Sequence, residues 1–190
     1  KVNQYLLQVL SPVLTESGEL GLNLGEQGFW RAIDYLDNSH TIEVVTQAHQ
    51  AEVAAYAFGH FASALSDMPE DSIVDVIPNF LNLPQRFSQL TLAMSGDAHN
   101  RLSSCQQWAD FVLSQTDVLH LLADFEAKLP KRICHNDTKI NNMLFDKRDM
   151  SSMAIIDLDT CMLGYLMYDF GDMVRAFCSP EPEDSINLTH

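Results

Sequence analysis

The 190-residue chain carries 26 acidic against 11 basic side chains, a formal net charge of −15, with a pI near 4.5. That balance argues against nucleic acid or an anionic membrane as partner, and no run of about 18 apolar residues is present to span a bilayer. Hydrophobic residues make up 46%, enough for one domain, or one lobe and part of another.

The opening residues, KVNQYLLQVL, show no signal-peptide cleavage pattern. Cys105, Cys134, Cys161 and Cys178 lie far apart, with no C-x-x-C pair. Reduced thiols in a cytoplasmic protein are the expectation. Cys134 follows apolar Ile133 and reads as a strand position, not a nucleophile.

In chain order, residues 5–10 read as a strand and residues 11–28 as loop or weak hairpin. Residues 29–36, FWRAIDYL, are aromatic and branched, hence β-like. Residues 46–66 form the clearest helix. Ala48, Ala51, Ala55, Phe58, Ala62 and Leu65 recur in steps of three and four, Thr46 caps the start, and Pro69 blocks continuation. His49 and His60 read as solvated helix histidines. Residues 77–86, IPNFLNLPQR, punctuate the fold with two prolines. Pro84 can open a helix that carries Phe87, Leu90 and Met94 and ends at Gly96. Further helices are expected over 98–114 and 118–128, the latter stopped by Pro130. No repeat, low-complexity tract or long linker interrupts them.

The chain is organised around residues 133–157, ICHNDTKINNMLFDKRDMSSMAIID. His135, Asp137, Lys139 and Asn142 share a polar loop. Two apolar runs, 142–145 and 153–156, follow with a polar turn of Asp146, Lys147, Arg148 and Asp149 between them. This reads as strand, turn, strand. The hairpin returns the chain, so Asp157 ends near Asn142 and Asp137. His135, Asp137 and Asn142 fit the H-x-D-x-x-x-x-N spacing of a kinase catalytic loop, with a metal-binding Asp one hairpin on. Phosphoryl transfer needs this set. One carboxylate, Asp137, orients the acceptor hydroxyl and takes its proton, while Asn142 and Asp157 offer hard oxygens to Mg²⁺ on the phosphates of ATP.

The string HNDTKINNMLF, then IIDLDT, then YDFGD at 168–172 resembles the N-acetylhexosamine 1-kinase branch of the aminoglycoside phosphotransferase family. Asn136 stands where protein kinases carry Arg and aminoglycoside phosphotransferases usually Gly. The resemblance is strong over residues 131–175 and traceable from residue 28. It implies an α+β, protein-kinase-like fold: a mainly helical large lobe with a small catalytic β-hairpin, and a remnant of the small lobe. Residues 1–37 would be that remnant with the hinge, and 38–190 the large lobe. It implies ATP and Mg²⁺ as cofactors and an amino sugar as partner, phosphorylated on its anomeric hydroxyl. Protein-serine kinases place a Lys as Lys139 is placed, near the transferring phosphate. A Phe-His element with a later Arg lies near the sugar in that family. Here Phe80 and Arg86 are present, but Leu81 replaces the His. Arg86 is a substrate-binding candidate on that basis, with surface salt bridging as its other reading.

Asp169-Phe170-Gly171 spells the protein-kinase metal motif. Asp157, directly after a strand, has the better context. Asp169 is expected to cap the helix FGDMVRAF and brace the catalytic loop, and Asp159 to add a metal contact or hydrogen bond. No G-x-G-x-x-G is present, and Lys1 is the only Lys before the hinge. The chain therefore reads as a fragment, cut within both lobes, and the isolated chain is expected to turn over little. Two other readings stay open: a kinase of choline, an aminoglycoside or homoserine, and an inactive nucleotide-binding or scaffold remnant.

Overall fold

The computed structural model describes residues 6–186. Four two-residue strands come first: β1 (Pro12–Val13), β2 (Leu22–Asn23), β3 (Phe29–Trp30) and β4 (Ala32–Ile33). β1 pairs antiparallel with β4, and β2 with β3. The β-like run 29–36 is thus broken at Arg31. The strand expected over 5–10 begins outside the described residues, and 6–10 form none. Gln8 N–H donates to the Met153 carbonyl at 2.8 Å, and Leu6 N–H to His60 Nε2 at 3.0 Å, so His60 is half-buried and hydrogen-bonded where a solvated helix histidine was expected.

After β5 (Ser39–His40) comes α1 (Ala48–Ala64). Gln50, not Thr46, closes its start: its side-chain oxygen accepts the N–H groups of Thr46 at 2.8 Å and Gln47 at 3.1 Å. The buried face is Ala54, Ala57, Phe58 and Phe61, which corrects the alanine stripe expected from sequence. Two phenylalanines carry far more apolar area than several alanines, so the helix turns to bury both.

Three helices follow, α2 (Leu83–Gly96), α3 (Leu102–Ser114) and α4 (Thr116–Glu126). Asn82 Oδ1 accepts the Gln85 N–H at 3.0 Å, with Pro84 in the first turn. Asp97 ends α2 in the left-handed region, at φ 32°. Its carboxylate then accepts the Arg101 and Leu102 N–H groups, at 2.9 and 3.1 Å. One residue closes one helix and opens the next, so α3 begins at Leu102 and not near Ala98.

The last elements are β6 (Arg132–Cys134), β7 (Met143–Asp146), β8 (Ser152–Ile155), β9 (Met162–Gly164) and α5 (Leu166–Phe177). The expected hairpin forms, with β7 one residue later and β8 one residue earlier than the apolar runs implied. β7 is the centre of a three-stranded antiparallel sheet, between β5 and β8. Met143 faces Ile155, Leu144 faces Ala154, and a bulge follows Leu144. β6 pairs with β9 along Ile133–Leu163 and Cys134–Met162.

The chain divides into two compact units, one formed by the stretches up to Ile73 and from Arg132 onward, the other by Val74–Lys131. β5 and α1 share the hairpin's unit, as the lobe division 1–37 and 38–190 implied by the resemblance also has them, while α2 to α4 form a unit of their own. The first unit's core joins Ala54, Ala57, Phe58 and Phe61 of α1 to Ile140, Met143, Phe145 and Ile155. The polar loop that carries His135, Asp137 and Lys139 is rooted in this core through Ile140. Among the described residues no helix is long and apolar enough to cross a membrane.

Candidate active site

The loop that follows β6 is pinned at nearly every residue. Asn136 sits at φ 64°, a left-handed conformation that Asn tolerates and most side chains do not. Its side-chain amide donates to the Thr160 carbonyl at 3.0 Å and faces those of Cys134 and Met162 at 3.3 and 3.4 Å. A Cβ on Gly164 would lie 2.8 Å from Asn136 Oδ1, so β9 needs glycine there.

His135 is fully buried. Its Nε2–H donates to the Ile156 carbonyl at 2.9 Å, and the rings of Phe58 and Phe61 meet it edge-on at 5.4 and 5.8 Å. Its Nδ1 is buried without a partner among the described residues. This histidine, counted among the catalytic candidates with Asp137 and Lys139, fixes the loop against the end of β8.

Asp169 lies in the first turn of α5, not at its cap. Its two carboxylate oxygens accept the backbone N–H groups of His135 and Asn136, at 3.0 and 2.8 Å. The buried Thr138 hydroxyl donates to the Asp169 carbonyl at 2.7 Å. Burial pushes the Asp169 carboxyl above its ordinary range, and the two N–H donors work against that. Each carboxylate oxygen thus already serves a backbone N–H, which commits the aspartate of Asp169-Phe170-Gly171 to holding the loop.

Asp137 and Asn142 are brought together. The Asn142 side-chain nitrogen donates to Asp137 Oδ2 at 2.8 Å and to the Asp137 carbonyl at 2.9 Å. Asp137 Oδ1 has no hydrogen-bond partner among the described residues. Lys139 Nζ lies 3.4 Å from Asp137 Oδ2 and also 3.4 Å from Glu183 Oε2. Burial disfavours charge on Lys139, but these two carboxylates outweigh it and hold the ammonium above its ordinary value. The Ile156 N–H donates to the Asn142 carbonyl at 2.9 Å, which brings the chain back beside Asn142 one residue before Asp157. Asp157 is exposed and left-handed, at φ 59°.

A family model described as the phosphotransferase enzyme family matches residues 3–187. The chain belongs to that family. Phosphotransferases of this family are kinase-type enzymes, with a protein-kinase-like fold and ATP-dependent transfer to small molecules.

In this phosphotransferase the donor set suits Mg²⁺. With the Asn142 nitrogen committed to Asp137, its Oδ1 is left as the outward atom, and Asp157 adds an exposed carboxylate without a hydrogen bond among the described residues. One or two hard oxygens, completed by water and nucleotide phosphates, are what Mg²⁺ takes from a protein. No group of three or more His, Cys, Asp or Glu gathers to hold a metal among the described residues. Asp159, the other metal candidate, is paired instead with Arg31, whose guanidinium donates to Oδ1 at 2.7 Å and also meets Oδ2. That pair lowers the Asp159 carboxyl below its ordinary range. Arg86 belongs to the other compact unit, where it donates to Gln89 at 2.8 Å. Burial pushes the Cys134 and Cys161 thiols up to about 12, so neither phosphotransferase thiol is a nucleophile at neutral pH.

Sequence reasoning missed Glu183 and Arg175. They stand 44 and 36 residues beyond Lys139, in no motif, and only the tertiary fold shows them. The Thr160 hydroxyl, which donates to the His135 carbonyl at 2.7 Å, was legible only as the Thr of the IIDLDT string.

Proposed function

We propose that the protein is an ATP-dependent kinase whose acceptor is the anomeric hydroxyl of an N-acetylhexosamine. The observation that carries the kinase reading is the Asn142 amide on Asp137 Oδ2, which leaves Oδ1 turned to other use. An acceptor hydroxyl brought to Oδ1 loses its proton there as its oxygen bonds the γ-phosphorus. The bond from that phosphorus to the bridging oxygen breaks, and ADP leaves with the electron pair. Lys139 offsets negative charge that grows on the transferring group. Asn142 Oδ1 and Asp157 would hold Mg²⁺, which supplies charge neutralisation at the nucleotide phosphates. Asp169 acts at a distance from the chemistry, by fixing the two N–H groups that lead into Asp137. The amino-sugar acceptor is supported by the strings HNDTKINNMLF, IIDLDT and YDFGD.

The test is ADP formation by the purified full-length protein with Mg²⁺-ATP and a panel of acceptors: N-acetylglucosamine, N-acetylgalactosamine, choline, homoserine and an aminoglycoside. An anomeric phosphate, seen by ³¹P NMR, is the expected product. Asp137→Asn should lower kcat by roughly a hundredfold or more, the range of a positioned base, with ATP affinity almost unchanged. Turnover of another acceptor alone replaces the sugar assignment. Near-normal turnover by Asp137→Asn removes Asp137 from its role, and no turnover of any acceptor returns the protein to an inactive nucleotide-binding remnant.

A further inference from the structure

We infer that Glu183 and Arg175 are positioning residues for Lys139, closing a ring of alternating charge around the catalytic loop. The inference rests on the kinase reading above. Lys139 Nζ is shared equally, 3.4 Å from Asp137 Oδ2 and 3.4 Å from Glu183 Oε2. The other Glu183 oxygen, Oε1, is 3.2 Å from Arg175 Nη2. Arg175 in turn is fixed on Asp172 Oδ1, by Nε at 3.0 Å and Nη2 at 2.7 Å. Asp172 Oδ2 faces the Thr138 hydroxyl at 3.4 Å, and Thr138 is the neighbour of Asp137 in the chain. Starting at Asp137, the ring runs through Lys139, Glu183, Arg175 and Asp172 to Thr138.

The geometry assigns a purpose to each member. An ammonium on a flexible four-carbon stem, with Asp137 as its only anion, would settle on that carboxylate and compete for the base. A second carboxylate at the same distance splits the attraction and holds Nζ to the side of Asp137. An ammonium has three donors, and two anions leave one direction free. The cleft lined by Lys139, Asn141, Arg175 and Glu43 opens beside it. Glu183 is itself more than half exposed and would swing freely without Arg175 on its other oxygen. Arg175 projects from the last turn of α5, and the same helix supplies Asp169 to the backbone of the loop. One helix thus positions both the backbone of Asp137 and the side chain of Lys139.

The experiment compares Glu183→Gln, Glu183→Asp, Arg175→Met and Lys139→Met in the full-length protein, with Asp137→Asn as control and N-acetylglucosamine and N-acetylgalactosamine as acceptor probes. Glu183→Gln and Arg175→Met should lower kcat by about tenfold to a hundredfold, as misplacement of a catalytic group does, with KM for ATP changed by less than about twofold. Glu183→Asp should recover part of the loss. In a Lys139→Met background, Glu183→Gln should cost nothing more, because its effect runs through the missing amine. A second readout needs no turnover. Acylation of Lys139 by acetic anhydride, followed by peptide mass spectrometry, should be slow in the wild type and several-fold faster in Glu183→Gln. Equal acylation in the two proteins overturns the inference whatever the activity. An active protein that Asp137→Asn disables but Glu183→Gln leaves unchanged also overturns it, and leaves the kinase reading standing. Faster acylation in a protein that turns over neither sugar supports the ring and overturns the sugar-kinase reading instead.

Discussion

Asp169 takes a backbone N–H on each of its two oxygens, whereas Asp157 stands exposed at the end of the hairpin. The two aspartates are twelve residues apart, and their surroundings divide the work between them. A buried carboxylate that satisfies two N–H groups is structural, since removing it leaves both donors unpaired, at about 1–3 kcal/mol each. An exposed carboxylate without a hydrogen bond is the one open to a cation. Asp157→Asn, which removes the charge and keeps a residue that tolerates the left-handed backbone, should therefore sharply weaken Mg²⁺-dependent ATP binding in calorimetry while Tm stays within about 2 °C, as for most surface changes. Asp169→Ala should lower Tm by roughly 5 °C or more and leave binding by the folded protein intact. The reverse pattern would make Asp169-Phe170-Gly171 the metal motif. At this scale the sequence was informative where chemistry fixes spacing. A loop that must present His135, Asp137 and Asn142 together keeps their separations whatever the rest of the fold does. Contacts between distant residues carry no such signature, so Arg31 on Asp159 and Glu183 on Lys139 emerged only from the fold.

The β7–β8 hairpin shows what an element inherits from its turn. Asp146 accepts the Arg148 backbone N–H at 2.8 Å and its Nε–H at 2.9 Å, and a second guanidinium nitrogen meets the other oxygen. Met150, at φ 61°, closes the turn with its N–H on the Asp146 carbonyl at 2.9 Å. The Arg148 guanidinium, with help from the backbone bond, holds the Asp146 carboxyl down to about 2. A carboxyl with a depressed folded-state pKa stabilises the fold above its unfolded value, near 3.9, and that stability is lost as pH falls through about 2. Arg148→Met should therefore melt below the wild type at pH 6, with the gap narrowing steadily between pH of about 4 and about 2. A gap that holds constant over that range would show that the turn draws nothing from the charge on Asp146. The hairpin was legible because two apolar runs flank a polar turn. The face of α1 was not, because alanines at every third or fourth position mark several overlapping stripes. Only the partners at hand, His135 and the hairpin, decide for Phe58 and Phe61.

Across the whole molecule, burial is uneven, and local stability should follow it. The first unit buries a continuous core from α1 through Ile140 to β7 and β8, with Ala54, Ala57, Met143, Phe145 and Ala154 fully inaccessible. In the second, Val74–Lys131, Ala109 is the only buried hydrophobic residue. Its helices leave Leu92 74%, Phe111 60%, Leu121 55% and Trp108 54% exposed. The periodicity of α2 to α4 announced helices, and they formed. Periodicity says which residues share a face, though, not how much of that face is covered. Apolar burial contributes about 25 cal/mol for each Å² removed from water, and helices of this length depend on such burial more than on intrinsic propensity. The amides of α2, α3 and α4 should therefore open locally at low free energy, while those of α1, β7 and β8 open only near global unfolding. Native-state hydrogen exchange of the full-length protein by mass spectrometry should rank them in that order. Peptides from 48–64 and 143–155 should be protected at least about a hundredfold more than those from 83–126, equivalent to roughly 2.7 kcal/mol. If protection over 83–126 equals that over the hairpin, something outside the residues described here covers those apolar faces. The same ranking should survive Asp157→Asn, which touches no core residue, and should flatten in Asp169→Ala, which frees the loop rooted in the core at Ile140.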